Sequence, residues 1–325
     1  MAKPRVVDFH AHIVCGEVLG RCQGRNVLAG WKQGPFIPPA GAAALVPKLT
    51  NPDEALVDMD RLGIDVSVIS TSTVMQNTAW AEPAEQAELE TIGNDEIARW
   101  MAHSPGRFSG AFTVPLSDID LALKELERCS GELKMKVVNL PAVAGEDYLG
   151  APRFERLWEA IHGHDLVAFL HPDGARDPWF QDYWLWNSIG QPIEEAKLLT
   201  SLIMEGVLER HSGVKVVVAH GGGFLPHYSG RIDRILKNQP EEMRNISSDR
   251  KPSDYLDDIY YDTCAYDKSV LDALLRRFGP GRLVMGSDYP VGEADPLGFV
   301  RAGEGVDDAA ADAILGGTAE RLLAR

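Results

Sequence analysis

The feature that most constrains the fold of this chain is a rhythm in which short apolar runs alternate with longer stretches of helical spacing. The runs are Val6–Ile13, Val66–Ser70, Phe108–Val114, Met135–Leu140, Leu166–His171, Val214–His220, Ile259–Thr263 and Leu283–Asp288. Several are apolar almost throughout, the pattern of parallel strands buried on both faces. Between them, the spacing predicts helices over Pro52–Leu62, Pro83–His103, Asp118–Cys129, Arg153–His162, Glu194–Arg210, Ser269–Phe278, Asp307–Leu315 and Thr318–Leu323. Gly63, Gly106, Gly213 and Gly279 lie where helices should stop. Strands and helices in this alternation predict an α/β fold, the (β/α)8 TIM barrel. The length of 325 residues would allow two domains, but barrels of this size commonly form one, so residues 1–325 read as a single domain.

One segment breaks the rhythm. Gly16 to Thr50 is rich in Gly, Pro and Ala and carries Trp31, Phe36, Pro38 and Pro39. It is too long for a plain strand-to-helix loop, which makes 16–50 an inserted lid or small subdomain over the barrel mouth, after strand one. The same composition suits a flexible surface loop; the aromatic content favours the lid.

Active sites of this barrel sit at the C-terminal ends of its strands. Strand one ends in His10-Ala11-His12, and residues i and i+2 of a strand share a face, so the two imidazoles can converge on one metal ion. Strand five ends in Leu170-His171-Pro172, strand six in Ala219-His220-Gly221-Gly222-Gly223, and strand eight in Gly286-Ser287-Asp288-Tyr289-Pro290. Any one of these histidines is as readily a hydrogen-bonded core residue. Together, at the ends of four strands, they read as a metal site. Imidazoles with one carboxylate suit Zn²⁺ or a similar first-row divalent ion such as Mn²⁺, with a position left for water.

Charge and cysteine usage narrow the partners. A formal net charge of −16 without any cluster of Lys or Arg argues against nucleic acid or an anionic membrane surface as partner. It leaves room for a small anionic substrate, because a metal and one or two arginines can invert the local field. Cys15, Cys22, Cys129 and Cys264 are scattered without CxxC pairing, as in a reduced cytoplasmic protein. No secretory pattern precedes the first strand, and no apolar run approaches membrane-spanning length. The expected location is the cytoplasm.

The ordered set of motifs resembles the amidohydrolase superfamily, and within it the amidohydrolase-2 branch of metal-dependent decarboxylases. Besides the strand-end motifs, the resemblance takes in Met59-Asp60, Ser70-Thr71, Trp80-Ala81, Glu127-Arg128-Cys129, Tyr183-Trp184-Leu185, Gly206-Val207, Pro226 and Gly230-Arg231-Ile232. It covers most of the chain after residue 50. It implies that His10, His12, His171 and Asp288 hold one divalent metal, most simply zinc. It makes His220 a catalytic residue beside the metal. Arg231 would bind the substrate carboxylate, reaching across the interface of a homodimer, and Trp184 would contact substrate. Since the branch uses a single metal, Lys136 reads as structural rather than as a metal-bridging lysine.

The chain also departs from the pattern. One member of the branch has a second substrate arginine just before the segment matching Asn51-Pro52; here the stretch is Leu45-Val46-Pro47-Lys48-Leu49. Lys48 offers a point charge but not the bidentate fork of an arginine. Arg176, after His171, is the other cation placed to compensate. These differences point to a related but different acid.

The expected activity is metal-dependent, non-oxidative decarboxylation of a hydroxylated aromatic, pyridine or carboxymuconate-type acid. His220 is the expected acid/base, Asp288 a ligand that also relays a proton, and Arg231 the group that orients the anion. The rival is a hydrolase of an amide, lactone or ester, in which water activated at the metal attacks a carbonyl; the same fold and ligands serve both. A barrel kept only as a binding scaffold is disfavoured by the intact set of His10, His12, His171, His220 and Asp288.

Overall fold

The structure, a computed structural model, describes residues 4–25, 42–236, 245–246 and 249–324. Eight parallel strands form one sheet in sequential order: β1 (Val7–Ile13), β2 (Val66–Thr71), β3 (Phe108–Phe112), β4 (Val137–Leu140), β5 (Val167–Leu170), β6 (Lys215–Val218), β7 (Tyr260–Asp262) and β8 (Leu283–Val284). The sheet closes on itself. Phe9 N–H donates to Met285 O at 2.8 Å, Asp288 N–H to His10 O at 2.8 Å, and His12 N–H to Tyr289 O at 2.9 Å, joining β1 to the segment after β8. This is the (β/α)8 barrel that the strand rhythm predicts.

The period of two along each strand sorts the core into two layers. Val7, Phe9, Val68, Ala111, Val137, Val167, Phe169, Val217 and Ala219 fill the barrel interior. Their neighbours Ile69, Val138, Leu140, Leu170 and Val218 point outward into a larger layer shared with Trp100 and Trp158 of the surrounding helices. Trp158 is fully buried, and its indole N–H donates to Leu149 O at 2.8 Å. Trp158→Ala is expected to cost about 3–5 kcal/mol, from lost burial plus the cavity left behind, read as a lower midpoint in chemical denaturation.

Helix limits follow local chemistry. Pro52–Leu62 begins at Asn51, whose side chain accepts from Asp53 N–H, and ends at Gly63 with φ 74°. Pro83–His103 also has its predicted bounds. The single helix expected over Glu194–Arg210 is instead two, Gly190–Met204 and Val207–Arg210. Gly206 breaks it with φ 73°, and a Cβ there would come within 2.3 Å of Asn245 O, so no other residue fits. The stretch predicted as Asp118–Cys129 is α-helical only over Ile119–Glu127 and then widens into a π-turn at Arg128–Glu132.

The predicted strands six and eight stop short of their motifs. His220 and Asp288 adopt φ 49° and 56°, which ends extended geometry and turns their side chains over the barrel mouth. The segment 16–50 contributes helices Gly16–Cys22 and Val46–Thr50 at its two ends. Trp31, Phe36, Pro38 and Pro39, on which the lid reading rests, lie outside the described residues. The four cysteines are buried thiols without disulfides. Among the described residues no helix is long and apolar enough to cross a membrane.

Candidate metal centre

Each donor reaches the centre for a local reason. The register of β1 shifts between Asp8 and Ala11, so His10 and His12 face inward although Phe9 does too; His171 follows the last residue of β5, and the turn after β8 swings Asp288 back toward β1. One ligand atom from each of His10, His12, His171 and Asp288 lies within 4.8 Å of the other three. His10 Nε2 and His12 Nε2 are 3.1 Å apart, and Asp288 Oδ1 lies 3.1 Å from His12 Nε2 and 3.4 Å from His10 Nε2. Among the described residues, neither ring nitrogen of the buried His171 has a hydrogen-bond partner. A buried imidazole so placed is costly in an empty cluster and is satisfied by a cation.

The electrostatics agree. Burial pushes the imidazoles of His10 and His171 below their ordinary range, keeping them in the neutral form that ligates. Burial alone would raise the carboxyl of Asp288, but His10, His12 and His220 outweigh it and hold it well below the usual carboxylate range. Three imidazoles and one carboxylate form the donor set of a single divalent metal.

Supporting groups fix the ligands' orientation. Asp262, the last residue of β7, accepts from His10 Nδ1 at 2.6 Å and from the backbone N–H of Gly221 and Cys264. That bond puts the proton on Nδ1 and leaves Nε2 free to ligate. Ser70 Oγ lies 3.2 Å from His12 Nδ1. Tyr266, itself at φ 54°, donates its hydroxyl to Asp288 Oδ2 at 2.9 Å, leaving Oδ1 toward the histidines. Tyr266→Phe is therefore expected to weaken metal binding about 10- to 100-fold, measured by competition with a chromogenic chelator.

His220 stands beside this set and outside it, its ring centroid 5.3 Å from that of His10 and 5.2 Å from that of His171. Its Nδ1 lies 2.5 Å from Oε1 of Glu195, a fully buried residue of helix Gly190–Met204. Burial alone would lower the imidazole of His220, but the Glu195 carboxylate, joined by Asp288 and Asp262, more than offsets this and lifts it to about 9. Burial in turn raises Glu195 to about 7.

Trp184 lines an apolar cavity of about 300 Å³ with Leu45, Leu49, Met75 and Trp186, and His12, His171 and Asp288 face the same cavity. Arg231 does not join it: it is exposed on helix Gly230–Leu236 of the same chain. Neither candidate cation compensates. Lys48 Nζ is paired with Asp58 at 2.6 Å, and Arg176 donates to Gly145 O at 2.7 Å. Lys136 precedes β4, at the barrel end opposite the ligands.

Sequence reasoning missed Glu195, Asp262 and Tyr266. Two of them left a signal. Glu195 lies on the same helical face as Leu198, Leu199 and Leu202, so a carboxylate there had to be buried. Asp262 ends a strand as Asp288 follows one, and the same strand-end logic applies to it. Tyr266 left none.

Three comparisons with known proteins bear on this centre. The amidohydrolase family profile (Amidohydro_2) matches residues 7–325. The chain is 30% identical over 273 residues to 6-methylsalicylic acid decarboxylase of Aspergillus aculeatus, covering 80% of this chain and 81% of that protein. It is 28% identical over 276 residues to 2-amino-3-carboxymuconate-6-semialdehyde decarboxylase of Dictyostelium discoideum, covering 84% and 76%. Among solved structures, a dihydroxybenzoic acid decarboxylase of Polaromonas sp. JS666 with bound manganese superposes with a TM-score of 0.83 at 23% identity, over 98% of this chain and 97% of that one.

Proposed function

The chain belongs to the amidohydrolase family, and on that premise we propose that it is a metal-dependent, non-oxidative decarboxylase of a hydroxylated aromatic, pyridine or carboxymuconate-type acid. The observation that carries this reading is His220: a buried imidazole held by Glu195 beside the ligand set, yet not part of it. The named relatives act on acids of this kind.

Decarboxylation breaks the bond from carbon to the carboxyl group, releases CO2 and leaves an electron pair on that carbon, which must then gain a proton. His220 supplies it. With Nδ1 occupied by Glu195, Nε2 is the nitrogen left to donate, and the raised affinity of the ring for a proton keeps it loaded at neutral pH. Glu195 holds the ring's orientation and stabilises its charged form. A divalent metal in the His10, His12, His171 and Asp288 set supplies Lewis acidity that polarises the acid. We assign zinc to it, since a nitrogen-rich donor set favours zinc over manganese. Asp288 doubles as a proton relay, and Trp184 covers the substrate ring. Exposure of Arg231 on its own chain suits a carboxylate-binding role offered to a second copy, so the working assembly is a homodimer and the compartment the cytoplasm. Residues 1–325 act as one barrel domain, with 16–50 over the mouth; Leu45 and Leu49, at the end of that segment, support this by lining the cavity.

One observation favours the hydrolase reading: the described residues that line the apolar cavity include neither Lys nor Arg. Product analysis separates the two. Metal-loaded protein is expected to release CO2 from at least one member of a panel of hydroxybenzoates, hydroxypicolinates and carboxymuconate semialdehydes. Fully metallated protein that is silent across the panel but hydrolyses amides or lactones overturns the proposal.

A further inference from the structure

A second cavity of about 300 Å³ opens on the same rim, over the C-terminal ends of β2 to β4 and against helix Pro83–His103. It abuts the apolar cavity. Alternate residues of the segment 71–74 face one or the other, Thr71 and Thr73 here, Ser72 and Val74 there; in the segment after β5, Asp173 lines this cavity and His171 the apolar one. The character of the wall is different. Beside apolar residues such as Val114, Leu116 and Val143, it carries amides, hydroxyls, the carboxyls of Glu90 and Asp173 and the guanidinium of Arg153.

Most of those polar groups are satisfied. Asn77 donates to Asp173 Oδ2 at 2.7 Å, Glu90 accepts from Thr78 and Thr113, and Gln86 takes the N–H and hydroxyl of Ser117. Against that background, both side-chain polar atoms of Asn139, the Oγ1 atom of Thr73 and the Oδ1 atom of Asp173 have no hydrogen-bond partner among the described residues. Asn139 is 1% exposed and Asp173 8%. Buried amide and carboxyl atoms left open in an otherwise closed network mark a place where a ligand completes the bonding.

The chemistry of that ligand is constrained on both sides. The open atoms include a donor, Asn139 Nδ2, and acceptors, Asn139 Oδ1 and Asp173 Oδ1. The cavity does not welcome an anion: the carboxyls of Asp173 and Glu90 both line it, so added negative charge is opposed. The nearby guanidinium groups are already engaged, Arg153 with Asp147 and Ala144 O, Arg176 with Gly145 O and, at 3.8 Å, with Asp173 Oδ2, the oxygen that Asn77 also holds. A hydroxyl or an amino group both donates and accepts, and carries no negative charge.

We infer that Asn139 and Asp173 form a polar subsite that binds a hydroxyl or amino substituent of the acid held in the adjoining apolar cavity. Asp173 follows the ligand His171 by two residues, ~7 Å of extended chain, a span that a substituted six-membered ring bridges. This assignment rests on the decarboxylase reading. It makes the enzyme selective for an acid that carries a second, uncharged polar group, and against one that carries a second carboxylate on that side.

The test is calorimetric binding to manganese-loaded protein, with no turnover read. The probes are salicylate, the isomeric dihydroxybenzoates and, separately, glycerol. One dihydroxybenzoate is expected to bind at least about tenfold tighter than salicylate. Asn139→Leu and Asp173→Asn are each expected to erase that advantage while leaving salicylate affinity, metal content and circular dichroism unchanged. Two variants guard against misfolding of either. Equal affinities for salicylate and every dihydroxybenzoate in all three proteins overturn the proposal. Glycerol binding that needs Asn139, without any hydroxyl advantage, overturns the substituent as its source in favour of a separate small polyol. Since CO2 is not measured, failure here is distinguishable from failure of the decarboxylase assignment.

Discussion

Replacing His220 by alanine is expected to lower the rate of CO2 release about 10²- to 10⁴-fold while leaving metal content unchanged. The magnitude is that of losing a positioned proton donor. The selectivity follows from geometry, because the ligand atoms cluster among His10, His12, His171 and Asp288 without His220. Glu195→Gln is expected to produce a smaller loss in kcat: the amide still orients the ring through a hydrogen bond but no longer stabilises its charged form. Steady-state kinetics and metal analysis on the same preparations check both. Loss of metal together with activity in His220→Ala would move His220 into the ligand set and remove the acid/base role.

The second large effect is expected from His171→Ala. The two unpartnered ring nitrogens of His171 are the clearest sign that the centre is built around a cation, and removing the ring deletes a donor that nothing nearby replaces. Wild-type protein given metal at 100 times its dissociation constant gains about 2.7 kcal/mol of stability. His171→Ala is expected to lose most of that gain and to fall below detection in activity. The readout is the shift in Tm on adding Zn²⁺ or Mn²⁺, with metal content measured after gel filtration. An unchanged metal-dependent shift would mean that the ion sits elsewhere. Without metal, removing a buried, unpartnered imidazole costs little, so the apo Tm is expected to move less than the holo Tm.

The barrel and its donors were legible for the same reason. A barrel strand is apolar almost throughout, so a polar residue at its C-terminal end stands out, and His10, His12, His171 and Asp288 each interrupt or follow such a run. What period and composition do not encode is which side chains from distant elements turn inward to hold them. Tyr266 meets Asp288 only because both have left-handed backbone in turns after neighbouring strands. The break at Gly206 depends on a contact with Asn245, about forty residues away and invisible to a window the length of a helix. Arg231 shows the opposite limit. Its motif is recognisable, yet its surroundings within one chain say nothing of the carboxylate it is meant to meet.

The closure of the barrel has a consequence for the molecule as a mechanical object. The seam between the first and last strands is stitched by bonds from Asp288 N–H to His10 O and from His12 N–H to Tyr289 O, and three of these four residues, His10, His12 and Asp288, give their side chains to the metal set. An ion held there acts as a clasp on a hoop, fastening the first strand to the last across the join. Opening the hoop and releasing the ion become one event. Stripping the metal should therefore loosen amide protection first along β1 and the stretch 283–290, and leave the far side of the barrel, β3 to β5, as it was.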